Sequence, residues 1–241
     1  MGARVPTIVS WSGGKDSALA LHALLRDPAV DVRGLLTTVT DGYDRVSMHG
    51  VRAELVRAQA DVLGLSLHTV RIPPACSNGE YERATTAALT ALREDGIAAI
   101  AFGDLFLEDV RTYRERLVAA VGLRTLFPVW ATPTRSLAPR FVGDGFRAVV
   151  VCVDPRQLDV SYCGSEFSEL LDGMPSQVDP CGENGEFHTF VYDGPMFSAP
   201  IAALRGDVVE REGFVFCDLL PRDAARATCG DASRAGTAHA S

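Results

Sequence analysis

Two short segments concentrate the groups that can handle a nucleotide and move a proton. The first is Ser12-Gly13-Gly14-Lys15-Asp16-Ser17, set between the apolar run Thr7–Trp11 and the helix-forming Ala18-Leu19-Ala20-Leu21. A glycine turn that ends a strand and opens a helix presents bare backbone N–H groups at the positive end of the helix dipole, an arrangement that holds phosphate. Gly13 and Gly14 remove the Cβ atoms that would keep an anion away from the main chain. Ser12 and Ser17 add hydroxyl donors and Lys15 adds a cation. Asp16 adds a hard carboxylate suited to a magnesium ion carried by phosphates, or to a bound water. A Walker A loop would follow Gly-Lys with Ser or Thr, whereas here Asp16 follows Lys15. The second segment runs from Asp179 to Thr189 and holds Asp179, Glu183, Glu186 and His188 just before the strand-like Phe190-Val191-Tyr192. Glu183, Glu186 and His188 have the chemistry to bind a cationic or amine-bearing group, or to take a proton during attack on an activated carbonyl. A solvated turn capped by Asp179 is the alternative on composition alone.

Single residues extend both sets. Asp104 follows Gly103 at the end of the apolar Ala98–Phe102, where a carboxylate needs a partner or solvent. Glu108, Arg111 and Glu115 share one helical face, which makes either a surface charge ladder or, with Arg111 near the ligand edge of a sheet, a clamp for phosphate or carboxylate. His49 precedes a helix and is either a packing residue or within reach of the site. Trp11 reads as core. Ser77 or Asn78 resembles a helix N-cap with Glu80 in the first turn.

These groups need a scaffold, and the chain alternates short apolar runs with longer amphipathic ones. Strands are expected at Thr7–Trp11, Val32–Val39, Ser66–Ile72, Ala98–Phe102, Thr125–Val129 and Phe146–Val153. Helices are expected near Lys15–Arg26, Gly50–Leu63, Asn78–Glu94, Leu107–Val121 and Ser136–Asp144. Leu55, Ala58, Gln59 and Val62 mark the buried face of the second helix. Alternating strands and helices imply right-handed crossovers and a doubly wound, mainly parallel sheet of the α/β class. Ligands bind such sheets beyond the carboxyl ends of the strands, where the phosphate loop, Thr37-Thr38 and Gly103-Asp104 fall. After Val153 closely spaced turn signals replace the alternation. A smaller, irregular α+β region is expected over 154–220, with Ser165–Leu171 helical and Phe187–Tyr192 and Val208–Phe216 as strands. The first region is thus drawn at 1–153. The tail over 221–241, poor in large apolar residues, is expected to be disordered.

At 241 residues the chain can bury a full core, and a formal charge of −8 argues against broad nucleic-acid binding. No apolar run approaches bilayer length and the first residues lack a signal-peptide pattern, so a cytoplasmic protein with no membrane association is expected. The six cysteines show no Cys-x-x-Cys pair, so reduced thiols are the default.

The Ser12–Ser17 loop resembles the SGGxDS loop of the PP-loop ATP pyrophosphatases, which cleave ATP between the α and β phosphates. Taken with Gly103-Asp104, Glu108 with Arg111, and Gly182–Thr189, the chain is similar to the diphthine–ammonia ligase family and its adenine nucleotide alpha hydrolase-like relatives, from about Thr7 to Ile201. The resemblance implies a Rossmann-like PP-loop fold, with ATP and Mg²⁺ as cofactors. It implies a reaction in which ATP adenylates an acceptor carboxylate and ammonia or an amine displaces AMP to form an amide. Ser12, Gly13, Gly14, Lys15, Asp16 and Ser17 would bind the nucleotide, with adenosine contacts near Thr38 and Gly103. Asp104, Arg111, Glu183 and Glu186 would serve the acceptor, Asp16 the magnesium, and Glu186 or His188 the proton of the amine. The acceptor would be a small molecule or a modified protein side chain, and a homodimer is one expectation for the assembly. Two other readings are a non-catalytic nucleotide-binding protein and a thiolation enzyme using Cys163 and Cys181.

Overall fold

The computed structural model describes residues 3–47 and 49–222. From residue 223 onward, the tail expected to be disordered lies outside the described residues, as does Met48. Five parallel strands form the first sheet: β1 (Val5–Ser10), β2 (Val30–Thr40), β4 (Ser66–Ile72), β5 (Ala99–Ala101) and β6 (Arg124–Leu126). Their spatial order is β4-β2-β1-β5-β6, and the two-residue β3 (Arg45–Val46) pairs antiparallel with the end of β2. The chain therefore winds outward from β1 in one direction, returns to β5, and winds outward in the other. That reversal opens a crevice at the carboxyl ends of β1 and β5, the position where such sheets take ligands.

Side-chain alternation along the central strands sorts the apolar residues onto two faces. Ile8, Leu36, Val70 and Ile100 pack with Leu89 and Leu92 of α3 (Asn78–Glu94) and Val118 of α4 (Glu108–Ala119). Val9, Leu35 and Ala101 pack on the other face with α1 (Lys15–Leu25) and α2 (Ala53–Leu63). The cap expected before α3 is complete: the Glu80 N–H donates to Ser77 Oγ, and the Glu80 carboxylate accepts the Ser77 N–H at 2.9 Å.

A second, antiparallel sheet has the order β8-β7-β10-β9, built from β7 (Arg147–Val153), β8 (Phe187–Asp193), β9 (Ala203–Arg211) and β10 (Phe214–Pro221). Two sequence expectations change here. Phe146–Val153, expected with the parallel strands, pairs instead with β8 and β10, because a continuously apolar strand suits the middle of either sheet type. Val208–Phe216, expected as one strand, is broken by Glu212-Gly213, whose φ values of +52° and +79° make the tight turn of a two-residue hairpin. Helices α5 (Thr134–Gly143) and α6 (Phe167–Gly173) cover this sheet. An aromatic column runs through it, Phe146 on Phe141 at 4.7 Å, Phe141 on Phe167 at 5.6 Å and Phe167 on Phe187 at 5.9 Å.

Two ties between the sheets bear on the site. Asp218 of β10 accepts from Arg45 at 2.8 Å and from Arg52 at 2.7 Å, and these guanidiniums overcome the upward push of partial burial to hold its carboxyl down to about 2. The second tie is at the phosphate loop itself.

Candidate active site

The Ser12–Ser17 loop turns where β1 ends and α1 begins, with Gly14 as the N-cap of the helix. Gly13 has φ +81°, and a Cβ there would lie 2.8 Å from Gln59 Oε1, so both backbone shape and space require glycine. Gln59 is wholly buried and braces the loop: Nε2 donates to the carbonyls of Gly13 (2.9 Å) and Val191 (2.6 Å), while Oε1 accepts from Trp11 Nε1 (2.8 Å). Strand β8 completes the bracing. The Val191 N–H donates to the Gly13 carbonyl at 2.9 Å, and Thr189 Oγ1 accepts the Lys15 N–H at 3.1 Å. The loop is thus held from beneath by α2 and from the side by the second sheet.

Lys15 is almost fully buried, and its ammonium chelates both Asp16 oxygens at 2.9 and 2.8 Å above the Phe187 ring. Burial opposes the charge, but the Asp16 carboxylate bonded to it outweighs that and raises the Lys15 pKa, so the ammonium persists at neutral pH. Burial pushes the Asp16 carboxyl upward, with the Lys15 charge opposing. Ser17 Oγ donates to the Gly14 carbonyl at 2.9 Å and lies 3.3 Å from Ser12 Oγ. Just beyond the neighbouring strand β5, Gly103 permits the closest approach in the site. A Cβ there would stand 2.5 Å from the Asp16 carbonyl oxygen.

These groups form one wall of a cleft of about 230 Å³, and the Asp179–Thr189 segment forms the other. Its three carboxylates divide by role. Asp179 and Glu186 build the loop. Asp179 accepts from the Cys181 N–H at 2.8 Å and from Thr134 Oγ1 at 2.7 Å. Glu186, 2% exposed, accepts from the Asp179 N–H, the Asn184 N–H and Asn184 Nδ2 at 2.9, 2.9 and 3.0 Å. Its carboxylate is spent on these bonds and does not line the cleft, which corrects the expectation that it handles the substrate's proton. Glu183 does line it, touching the Leu105 N–H at 3.4 Å. Burial, reinforced by the Asp16 charge, raises Glu183 to about 8.

His188 lines the cleft from β8, and His49 packs against it with ring centroids 4.5 Å apart and planes tilted by 35°. Burial and the nearby Lys15 charge push His188 down to about 4; burial, His188 and Lys15 push His49 well below its usual value. Both rings are neutral at pH 7. His49 therefore belongs to the site, and its Nδ1 is buried without a hydrogen-bond partner.

Among the other expected residues, Ser12, Lys15, Asp16, Ser17, Gly103 and Asp104 meet in the cleft. Thr38 and Arg111 stand outside its lining. The Thr38 carbonyl accepts the Ser47 N–H, and Arg111 pairs with Glu115 at 2.8 Å while stacking on Phe127 and Trp130. The arginine of α4 that reaches the cleft is Arg114, three residues on from the Arg111 that the sequence pointed to. Gln59, Thr189 and Arg114 were not read as site residues, because nothing local marks a residue whose partners lie far along the chain. Cys181 sits in the cleft and Cys163 bonds the Val215 carbonyl, and burial pushes both thiols up to about 12. Protonated thiols make poor sulfur carriers. Among the described residues no group of three His, Cys, Asp or Glu side chains is arranged to hold a metal ion, and no helix is long and apolar enough to cross a membrane.

The family model for the diphthamide synthase N-terminal domain matches residues 5–125, and that for its C-terminal domain matches residues 134–218. The chain is 27% identical over 229 residues to a diphthine–ammonia ligase of Schizosaccharomyces pombe, covering 86% of this chain and 38% of that protein. It is 23% identical over 186 residues to the diphthine–ammonia ligase of Rattus norvegicus and 22% identical over 189 residues to that of Homo sapiens. Each of these two alignments covers 75% of this chain and 70% of the relative. The gap between the two matched stretches coincides with the passage from the parallel to the antiparallel sheet.

Proposed function

The chain belongs to the diphthamide synthase family, and from that premise we propose that it is an ATP-dependent amide-forming ligase. An oxygen of an acceptor carboxylate attacks the α-phosphorus of ATP, the bond to the β-phosphate breaks and pyrophosphate leaves. Ammonia or an amine then attacks the acyl carbon, AMP departs, and the nitrogen gives up a proton. The relatives are named for diphthine and ammonia, which makes these the first acceptor and donor to test. The observation that carries the reading is the meeting of two walls in one cleft. One is a glycine loop with a buried, charged Lys15; the other presents a single free carboxylate, Glu183.

The residues divide the work. Loop amides and Lys15 stabilise the negative charge that builds on the leaving pyrophosphate, the kind of interaction whose loss costs about 10² to 10³ in rate. Glu183 takes the proton from the attacking nitrogen, since a carboxylate raised to about 8 is a stronger base than an ordinary one. Neutral His188 and His49 close the cleft beside it without adding charge. A Mg²⁺ ion carried by ATP would supply neutralisation of phosphate charge. Asp16, with an oxygen released from Lys15, would be the residue to hold it.

The test is incubation of the full chain with ATP, magnesium, ammonium and a diphthine-bearing acceptor, following AMP by chromatography and the acceptor by mass spectrometry. AMP formed in step with amide supports the reading. ATP recovered intact, with affinity for it retained, leaves a nucleotide-binding protein.

A further inference from the structure

The cleft contains a cation that the loop motif does not supply. Arg114 reaches into it from α4, its guanidinium laid over the Phe102 ring at 4.4 Å. Its Nε lies 2.7 Å from Asp104 Oδ2, yet the pair lacks hydrogen-bond alignment, and both atoms are buried with no hydrogen-bond partner. Elsewhere the described cations near the site are well engaged. Lys15 bonds both oxygens of Asp16, and Arg111 bonds Glu115 while stacking on two rings. An ion pair without hydrogen-bond alignment holds its guanidinium less firmly than an aligned one, and a guanidinium on an aromatic face is preorganised for a planar or tetrahedral oxyanion. Asp104 adjoins Gly103, which packs on the Asp16 backbone, so the pair flanks the loop at the first turn of α1.

We propose that Asp104 and Arg114 form a displaceable pair, in which Arg114 leaves Asp104 to bind an oxyanion at the pyrophosphate end of the nucleotide. The pair makes a latent oxyanion subsite: Asp104 holds the guanidinium in the cleft and competes with the ligand for it. This inference rests on the reading that the cleft takes ATP. An acceptor carboxylate is the other source of an oxyanion, and the experiment separates the two.

Calorimetric titration of the full chain with inorganic pyrophosphate, ATP and AMP decides the matter, alongside thermal melting of each variant. In Arg114→Gln, pyrophosphate and ATP are expected to bind about tenfold more weakly or worse, with AMP unchanged, as one charge-assisted contact of about 1.5–3 kcal/mol implies. In Asp104→Asn, which removes the competitor, pyrophosphate is expected to bind several-fold more tightly. Arg114→Gln binding pyrophosphate and ATP as the parent does would overturn the proposal and leave the acceptor as the arginine's partner. Equal weakening of AMP, or pyrophosphate binding in Asp104→Asn that is unchanged or weaker, would overturn it as well. If the parent chain itself bound neither ATP nor pyrophosphate, the failure would lie with the ATP reading beneath it.

Discussion

The two sheets solve the problem of placing a reactive group in different ways. In the parallel sheet, position follows from backbone. The end of β1, a glycine turn and the first turn of α1 place N–H groups and Lys15 in six consecutive residues, and a neighbouring strand end adds Gly103. In the antiparallel region, position follows from side chains. Asp179 and Glu186 fold their own loop around themselves so that Glu183, between them, faces the cleft. A regular scaffold thus holds the cation, while a hydrogen-bonded loop holds the titratable carboxylate.

That contrast predicts different ways of failing. The largest effect is expected from Lys15→Ala, which should lower AMP formation by 10² or more while the fold survives, because Gln59, Thr189 and Val191 hold the loop by its backbone. Rate and circular dichroism measured together check both halves. Gly103→Ala should come next. Its Cβ would meet the Asp16 carbonyl at 2.5 Å, so the loop must shift, at about 1–3 kcal/mol in denaturant unfolding and with weakened ATP binding. Glu186→Ala leaves the Asp179 and Asn184 N–H groups without their partner. It should destabilise by about 2–3 kcal/mol and release Glu183 from its place, so that activity falls with stability. Arg111→Ala, outside the cleft, should change ATP binding little and cost about 1 kcal/mol or less, mostly lost stacking.

Titration sharpens the same division. Glu183 carries its proton in the folded protein up to about pH 8 but releases it near 4.5 when unfolded. The folded state therefore binds more protons across that window, and its contribution is lost as pH rises through it. Replacement by Gln should flatten this slope in melting temperature. For His188 the order reverses. The unfolded ring protonates near 6.5 and the folded one only at about 4, so stability falls as pH drops through that range. In turnover, kcat/KM should climb with pH toward 8 as Glu183 ionises, and Glu183→Gln should remove that limb.

The sequence carries the two walls unequally. Lys15–Leu25 and Asn78–Glu94 are readable because a glycine turn and a capping box are local signals. The hexapeptide loop is readable for the same reason. The roles of Glu183 and Glu186 are not, since the residue types are alike and only the fold decides which carboxylate meets backbone N–H groups. Arg111 and Arg114 differ by three positions, and α4 carries too few buried residues for the pattern to say which faces the cleft. Gln59 was legible as buried but not as a brace, because its partners Gly13 and Val191 lie 46 and 132 residues away.

The contacts from Thr189 and Val191 to the loop have a consequence for synthesis. The hexapeptide leaves the ribosome before β8 does, yet two of its partners come from that strand, the first of them 174 residues on from Lys15. A nascent chain halted before β8 would carry the whole motif and still lack the side support that fixes its shape. Competence to grip nucleotide would then wait until β8 docks against the loop.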